Sequence, residues 1–420
     1  MNSLLAHNAA APLEHAKTGG SSSGLARRDA IALFVMGVLF GLVNTLNDSA
    51  SSGGIEPMAI AKNLAESGRF ADPFGVATGP SAHTGPLFPF YLAAVLLIFK
   101  GAATQALVLR LGAAIVHGLE IALLPLVAET MFGEAEIGFI AGLLSIVIPC
   151  YRVLPLWDSS VSGLAVIGFC LVAARIDAQS RRGMLGLGLS WGLVLLLNPV
   201  LAIATGIWAL YAARRNSWPL HHSALALASA ILVCLPWTIR NYVTLGGLVP
   251  IRDNFGLELQ VSNNDGAAPS IVRNTTSLEQ FHPSINSRQA AEVRQRGELA
   301  YNRDKLRQAT AWIQSHPIRF AELSIRRVLE YWFPRTDAGI LTGFGIWIVT
   351  MLSVPGMLLA AVRRVPYGGA LLAMLLLAPL PFYILQSDAR YREPLLWISL
   401  LLAGYALHSA MRGIARHRLT

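Results

Sequence analysis

The sequence predicts an all-α polytopic membrane protein with about ten transmembrane helices and an external layer of helices. Three observations predict this class. Hydrophobic residues make up 54% of the 420 residues and charged residues only 14%, and the mean hydropathy is +0.51. Apolar segments of about 20 residues, the length that a helix needs to cross a bilayer, recur along the chain. One long polar stretch, residues 240–338, divides these segments into two groups.

The elements follow in order along the chain. Residues 1–29 are rich in Ala, Ser and Gly and predict a disordered cytoplasmic lead. No small-residue cleavage site follows the first apolar run, so we expect an uncleaved first span. The predicted spans are 30–47, 104–127, 136–154, 160–174, 184–198, 200–213, 222–239, 340–362, 367–386 and 394–411. They give a transmembrane bundle (30–239) with a first external loop (48–85), an external loop domain (240–338), and C-terminal transmembrane helices with a cytoplasmic tail (339–420).

The distribution of arginine decides the topology. Segment 86–99 is apolar but short and contains two prolines. If it does not cross the membrane, the arginine pairs at 181–182, 214–215 and 363–364 all lie in the cytoplasm, as the positive-inside rule requires. We therefore interpret 86–99 as a half-inserted or surface-packed helix and expect both termini in the cytoplasm. Segments 184–198 and 200–213 are predicted to meet at an external Asn-Pro turn.

Composition also excludes some classes. The net charge of +9 does not indicate a nucleic-acid-binding protein, because the basic residues cluster at the ends of apolar runs. The three cysteines, Cys150, Cys170 and Cys234, all fall within apolar runs, so neither a disulfide framework nor a CxxC metal site is predicted.

Unusual polar residues collect in the segments predicted to be external. Apolar residues at 55, 58, 60, 61 and 64 predict a short amphipathic helix on the membrane surface. Glu56 falls in its first turn, where the helix dipole favours a carboxylate, so it is either a functional acid or a solvated N-terminal one. Asp158 is either a functional acid near the membrane or the N-cap of the next span. His83 lies in a Gly- and Pro-rich segment and either binds a hydroxyl or phosphate group or caps a turn.

Two arginine-bearing segments are candidate phosphate sites. Arg390 and Arg392 occupy a short external turn against the positive-inside tendency, and Arg side chains favour phosphate. The alternative is an internal ion pair with Asp388 or Glu393. The second segment, 236–242, contains Trp237, Arg240 and Asn241 where a helix leaves the membrane, which suits an anionic lipid headgroup. Within the spans, Arg110, His117 and Glu120 share a helical face and are expected to pair with one another or with other spans.

Taken in order, these segments resemble the C-type integral-membrane glycosyltransferases, the superfamily of protein O-mannosyltransferases and aminoarabinose transferases. The resemblance covers residues 30–411 and is greatest to bacterial members of the dolichyl-phosphate-mannose-protein mannosyltransferase type. The matching positions are Glu56 with Ile60-Ala61, Gly79 to His83 with Pro86 to Pro89, Trp157-Asp158, Pro236 to Tyr242, Asn254 to Leu257, Asn263-Asn264, His282-Pro283, Gly297-Glu298 with Tyr301, His316-Pro317, and Arg390-Tyr391-Arg392.

The resemblance implies a membrane enzyme that moves a sugar from a polyprenyl-phosphate donor to an acceptor outside the membrane, in a bacterial inner membrane. Carried over, the general base falls on Glu56 with Asp158 as the supporting acid. The donor phosphate falls to Arg390, Arg392 and Arg240. His83, Trp237, Asn241 and Tyr391 then line the donor and acceptor pocket.

The chain departs from the pattern in its first external loop. Related enzymes often have adjacent acids or an Asp at this place, whereas Gly53-Gly54-Ile55 precedes a single Glu56 here. Asp48 is therefore a rival for the base, and the need for a divalent metal ion stays open. Two other functions compete with the enzyme: a transporter or flippase of a lipid-linked precursor, and a non-catalytic scaffold.

Overall fold

A computed structural model describes residues 22–47, 55–335 and 339–417. Most of these residues are helical, and the described chain contains no β-strand, only two isolated bridges, Ala71 with Pro80 and Ser270 with Ser387. The predicted all-α class is confirmed.

The helices form three groups along the chain: an N-terminal group, the layer predicted to be external, which keeps the name external layer below, and a C-terminal group. The N- and C-terminal groups together form the bundle. The N-terminal group contains α1 (Ser22–Asn47), α2 (Ile55–Ser67), α3 (Leu87–Ile98), α4 (Ala102–Ala122), α5 (Leu124–Phe132), α6 (Ala135–Val147), α7 (Ser159–Arg175), α8 (Arg181–Leu197), α9 (Ala202–Arg215) and α10 (Leu220–Leu245). The external layer contains α11 (Phe255–Ser262), α12 (Thr275–Phe281), α13 (Ser287–Arg296), α14 (Glu298–Ser315) and α15 (Pro317–Trp332). The C-terminal group contains α16 (Ile340–Val362), α17 (Gly368–Leu377), α18 (Leu380–Ile384) and α19 (Glu393–His417).

Five helical segments of the described chain are long and apolar enough to cross a membrane. They are Arg28–Leu46, Ala102–Phe132, Leu220–Leu245, Ile340–Val362 and Ala389–Ala415. Shorter apolar helices include α3, whose twelve residues rise only about 18 Å and cannot cross a bilayer alone. The predicted break at Asn198 is confirmed, because α8 ends at Leu197 and α9 begins at Ala202 after one 3₁₀ turn.

Small residues and one central helix hold the bundle together. Where α1 crosses α4, a Cβ atom on Gly37 would lie 2.9 Å from the Cα of Gly118, so only glycine permits this approach. The centre of the bundle is α19, which packs on α6, α7 and α16. Its residues Trp397, Ile398 and Leu401 are completely buried.

Polar contacts show which helix ends lie together. Asn198, before α9, donates to Asp158, before α7. At the opposite ends of α9 and α7, Asn216 donates to the carbonyl of Ala174. A second pair of helices is joined by Arg363, which follows α16 and donates to Ser409 of α19. The basic helix ends are therefore gathered at one end of the bundle and the candidate acids at the other.

The external layer sits over the acidic end. Phe74 from the first external loop packs with Leu257, Val293 and Tyr301 in a small hydrophobic cluster. On the other side, the buried Arg327 of α15 donates to the carbonyls of Ser262 and Ile384. The layer therefore contacts both the first external loop and the segment before α19.

Candidate functional site

The predicted surface helix is α2, and it presents Glu56 to two histidines. Ile60 and Ala61 are completely buried and hold the helix against α3. Glu56 lies in the first turn, and its Oε1 atom is 3.7 Å from Nε2 of His282. His83 completes the group, with one ligand atom from each of the three residues within 4.8 Å of the others.

The surroundings of the two histidines suit metal-binding rings. His83 is 2% exposed, and its Nδ1 atom has no hydrogen-bond partner among the described residues. Burial lowers the pKa of His83 well below its usual value, and Arg252 and His282 lower it further. His282 engages Ser284 through Nδ1, which directs Nε2 towards Glu56. Two imidazoles and a carboxylate are suitable ligands for a first-row divalent ion such as Zn²⁺.

A buried glutamate from the external layer holds the segment that carries His83. Glu298 of α14 is 4% exposed and accepts a hydrogen bond of 2.7 Å from the amide of Ala82. Burial raises the pKa of Glu298 to about 8, although its hydrogen bonds from Ser81 and Ala82 act in the opposite direction. The neighbouring Asp253 donates its amide to the carbonyl of Ala82 at 2.8 Å, and burial raises its carboxyl pKa to about 6.

Asp158 precedes α7, but its side chain makes no capping hydrogen bond to that helix. Instead, its Oδ2 atom accepts from Asn198 at 2.8 Å. Burial raises the pKa of Asp158, whereas the guanidinium groups of Arg252 and Arg390 and the bond from Asn198 lower it. The carboxyl group therefore faces two cations instead of serving as the predicted alternative, a cap.

Of the three arginines predicted to bind phosphate, Arg390 is the one that lies near both Asp158 and Glu56. Its guanidinium carbon lies 3.5 Å from the ring centroid of Trp157, and its Nε atom is 3.6 Å from Asp388. Its positive charge lowers the pKa of Asp158 and is in turn attracted by the negative charge of Glu56. The structure thus brings Glu56, Asp158 and Arg390 to one place, and it also shows the ion pair with Asp388 that the sequence offered as an alternative.

Near the end of α10, the side chains of Trp237, Arg240 and Asn241 donate hydrogen bonds to backbone carbonyls of two loops. Arg240 donates to the carbonyls of Ser81 and Phe70. Asn241 is completely buried and donates to the carbonyl of Val249 at 3.0 Å. Trp237 donates to the carbonyl of Ile251 at 3.0 Å. These side chains are engaged by protein groups and are not part of the cluster of acids.

Two further predicted residues differ in their surroundings. Arg392 is 2% exposed and donates to the carbonyl of Trp332 and the hydroxyl of Ser399, so its guanidinium is held inside the bundle. Tyr391 lies beside Arg390 and stacks on Phe382 with ring centroids 4.4 Å apart. Asp48, the rival base, lies outside the described residues.

An apolar cavity of about 540 Å³ has Trp157, the residue before Asp158, in its wall. It is lined by α3, α4, α7 and α8, including Phe88, Leu109, Ala165, Leu193 and Leu197. The ring of Trp157 also carries the guanidinium of Arg390. The cavity therefore offers space for a hydrocarbon chain next to a partly buried cation.

A second cleft, of about 500 Å³, lies along α2 beyond Glu56. Its lining is mixed: Met58 and Leu156 are apolar, whereas Lys62 and Glu66 are charged. Leu156 adjoins Trp157 in the chain, so consecutive residues contribute to the walls of the two spaces.

Sequence reasoning missed three residues that take part in the cluster. His282 belongs to the matching His282-Pro283 motif, but nothing in the sequence indicates its contact with Glu56. Nothing in the sequence pointed to Arg252 or Asn198, because their contacts with the loop of His83 and with Asp158 join distant parts of the chain.

Comparison of the chain with protein-family models and with curated proteins gives no match. The functional argument therefore depends on the geometry of this site.

Proposed function

We propose that this protein is a membrane glycosyltransferase that moves a sugar from a polyprenyl-phosphate donor to an extracytoplasmic acceptor, which is a protein, a lipid or a glycan. One observation carries the proposal: Trp157 both lines the apolar cavity and supports the guanidinium of Arg390. A lipid chain in the cavity and its phosphate at Arg390 would be held by one continuous surface. A sugar attached to that phosphate would lie beside Asp158 and Glu56.

The charges suit a direct displacement. One carboxylate takes the proton from the acceptor hydroxyl or amine, and the freed electron pair forms the bond to the anomeric carbon. The bond between that carbon and the phosphate oxygen breaks, and polyprenyl phosphate leaves with its added negative charge next to Arg390. Attack from the face opposite the phosphate inverts the anomeric centre.

Two carboxylates compete for the role of base. Glu56 is close to His83 and His282 and would be a ligand if that group held a divalent ion. Asp158 faces Arg252 and Arg390, and its raised pKa makes it a stronger base than an exposed aspartate. The geometry supports Glu56 as the base in a metal-free site, and Asp158 as the base in a site where Glu56 binds metal.

The proposed orientation places this site outside the cytoplasm of a bacterial inner membrane. The proposal includes about ten spans and two cytoplasmic termini. The gathering of the basic helix ends opposite the acids supports it, since the positive-inside rule assigns arginine-rich ends to the cytoplasm.

The test is sugar transfer by the purified protein from radiolabelled polyprenyl-phosphate sugars, compared with Glu56→Gln and Asp158→Asn, each with and without a chelator. We expect transfer by the wild type and a loss of 10²-fold or more in the variant that lacks the base. Glu56→Gln as the inactive variant together with insensitivity to the chelator identifies Glu56 as the base. Absence of transfer by the wild type with every donor and acceptor contradicts the proposal.

One observation favours a transporter as the second candidate. Glu120 and His117 of α4 are both 2% exposed within a candidate span, and Tyr151 donates to Glu120 at 2.9 Å. Ionisable groups at this depth are typical of ion and substrate pathways. A flippase would move a lipid-linked sugar across proteoliposome membranes without transferring it, and Glu120→Gln would stop that movement. A scaffold would keep its cellular phenotype in every variant named here.

A further inference from the structure

A second group of candidate metal ligands lies at the opposite end of the bundle, among the basic helix ends. Glu134 and Glu136 belong to the connection between α5 and α6 and to the first turn of α6. His408 comes from the centre of the C-terminal helix α19. Its Nε2 atom is 3.1 Å from Oε2 of Glu136 and 3.4 Å from Oε2 of Glu134. The three ligand atoms lie within 4.8 Å of one another.

These separations are those of ligands that share one ion. A tetrahedral zinc ion with bonds of about 2.0–2.1 Å holds neighbouring N and O ligands about 3.4 Å apart. The two distances from His408 agree with this value. In the group around Glu56 the corresponding distance is longer, 3.7 Å.

The hydrogen bonding of Glu134 points to the same centre. His408 is 7% exposed, whereas the side chains of Glu134 and Glu136 are 34% and 71% exposed, so the group is open to solvent on the side of Glu136. The Oε2 atom of Glu134 is itself buried and accepts no hydrogen bond in the part of the chain that the structure describes, and it pairs with His408. The other oxygen of Glu134 accepts from Nη1 of Arg412 at 2.8 Å. That contact orients the carboxylate and leaves Oε2 directed towards His408, as outer hydrogen bonds do for metal-binding carboxylates.

The charges also leave room for a cation. Two carboxylates meet at this point, and Arg412 is the cation that contacts both of them, at 2.8 Å from Glu134 and 3.9 Å from Glu136. Its side chain is 56% exposed, so it can withdraw from Glu136 while it keeps its bond to Glu134. One net negative charge remains for an ion to neutralise when His408 is neutral.

We propose that Glu134, Glu136 and His408 bind a first-row divalent ion of the Zn²⁺ type, with water completing the coordination. The ion would join the start of α6 to the middle of α19, the helix on which the bundle is packed. The proposal does not depend on the glycosyltransferase function, since this group and Glu56 lie at opposite ends of the bundle.

The rival explanation is an ion pair between a protonated His408 and the two glutamates, with no metal. The variant His408→Arg separates the two, because an arginine keeps the ion pair and cannot bind the ion. Glu129→Gln is the matched control, since Glu129 is an exposed acid on α5 outside the group. Every protein carries His282→Gln, so that the group around Glu56 contributes nothing.

The experiment measures Zn²⁺ binding to chelator-treated protein by isothermal titration calorimetry, together with the melting temperature and the visible absorption of added Co²⁺. We expect one bound ion, a raised melting temperature and a Co²⁺ spectrum of nitrogen and oxygen ligation with Glu129→Gln. His408→Arg and Glu134→Gln should lose all three, and Arg412→Gln should bind 10- to 100-fold more weakly. Mg²⁺ should not substitute, since it requires octahedral oxygen ligands.

Equal Zn²⁺ binding by His408→Arg and the control overturns the proposal. So does the absence of binding by the control. If His408→Arg fails to fold, Glu134→Gln decides, because the ion-pair explanation predicts no change in Zn²⁺ binding for that variant.

Discussion

Replacing Glu298 by Gln should reduce the pH dependence of stability between about pH 6 and pH 8. In the folded chain the carboxyl group keeps its proton up to a pKa of about 8, whereas its ordinary pKa is 4.5. Unfolding between these values releases a proton, so the free energy of unfolding falls as the pH rises. The stabilisation is complete below pH 4.5 and is lost as the pH passes through 8.

The magnitude follows from these two values. A pKa difference of about 3.5 corresponds to about 5 kcal/mol of unfolding free energy. With an unfolding entropy of about 2.1 cal/mol/K per residue, this energy corresponds to a change in melting temperature of roughly 5 °C for a chain of this size. Asp253 contributes its own fall, but only up to its pKa of about 6. Between about pH 6 and pH 8 the share of Glu298 is about 2 kcal/mol, or roughly 3 °C, and it is the difference in slope between the wild type and Glu298→Gln.

The assay is the melting temperature in detergent, followed by tryptophan fluorescence across this pH range. Glu298→Gln keeps an oxygen that accepts from the amide of Ala82, so it should fold and show a shallower profile than the wild type. Glu279→Gln, which changes an exposed acid of α12, should behave as the wild type does. An equal slope in Glu298→Gln and the wild type would refute the role of Glu298.

Four further predictions concern the site. Arg390→Lys should reduce sugar transfer about 10²-fold at unchanged melting temperature, because lysine lacks the planar group that stacks on a ring and pairs with phosphate through two bonds. Ala165→Phe should fill part of the apolar cavity and raise the KM for long-chain donors, while the KM for a short-chain donor stays unchanged. Chelator treatment should lower the melting temperature of the wild type, and His282→Gln should remove the part of that effect due to the group around Glu56. Arg240→Met should cost about 3 kcal/mol of unfolding free energy, measured by denaturant titration, because it leaves two backbone carbonyls without their charged donor.

Patterns that depend on neighbouring residues were sufficient to predict the helices that carry the site. The apolar spacing around residue 60 predicts a surface helix, and α2 runs from Ile55 to Ser67. The Asn-Pro pair predicts the break between α8 and α9, which the structure confirms. The count of about ten spans stays a prediction, since five described segments have the length and composition of a complete span.

The partners of each polar side chain could not be read from the sequence. Arg240, Arg390 and Arg392 all follow the same pattern, an arginine where the chain meets the membrane surface. Arg240 and Arg392 donate to backbone carbonyls from distant segments, and among the three only Arg390 faces the acids. These differences arise from contacts such as that between Arg240 and Phe70, which are far apart in the chain.

The most direct test of the proposed function is photo-crosslinking with a polyprenyl phosphate that carries a diazirine in its chain. The labelled peptides, identified by mass spectrometry, should come from α3, α4, α7 and α8, which line the apolar cavity. Unlabelled polyprenyl phosphate should compete, and Arg390→Lys should reduce the labelling. Labelling spread evenly over the lipid-facing helices, with no competition and no effect of Arg390→Lys, would contradict the proposal.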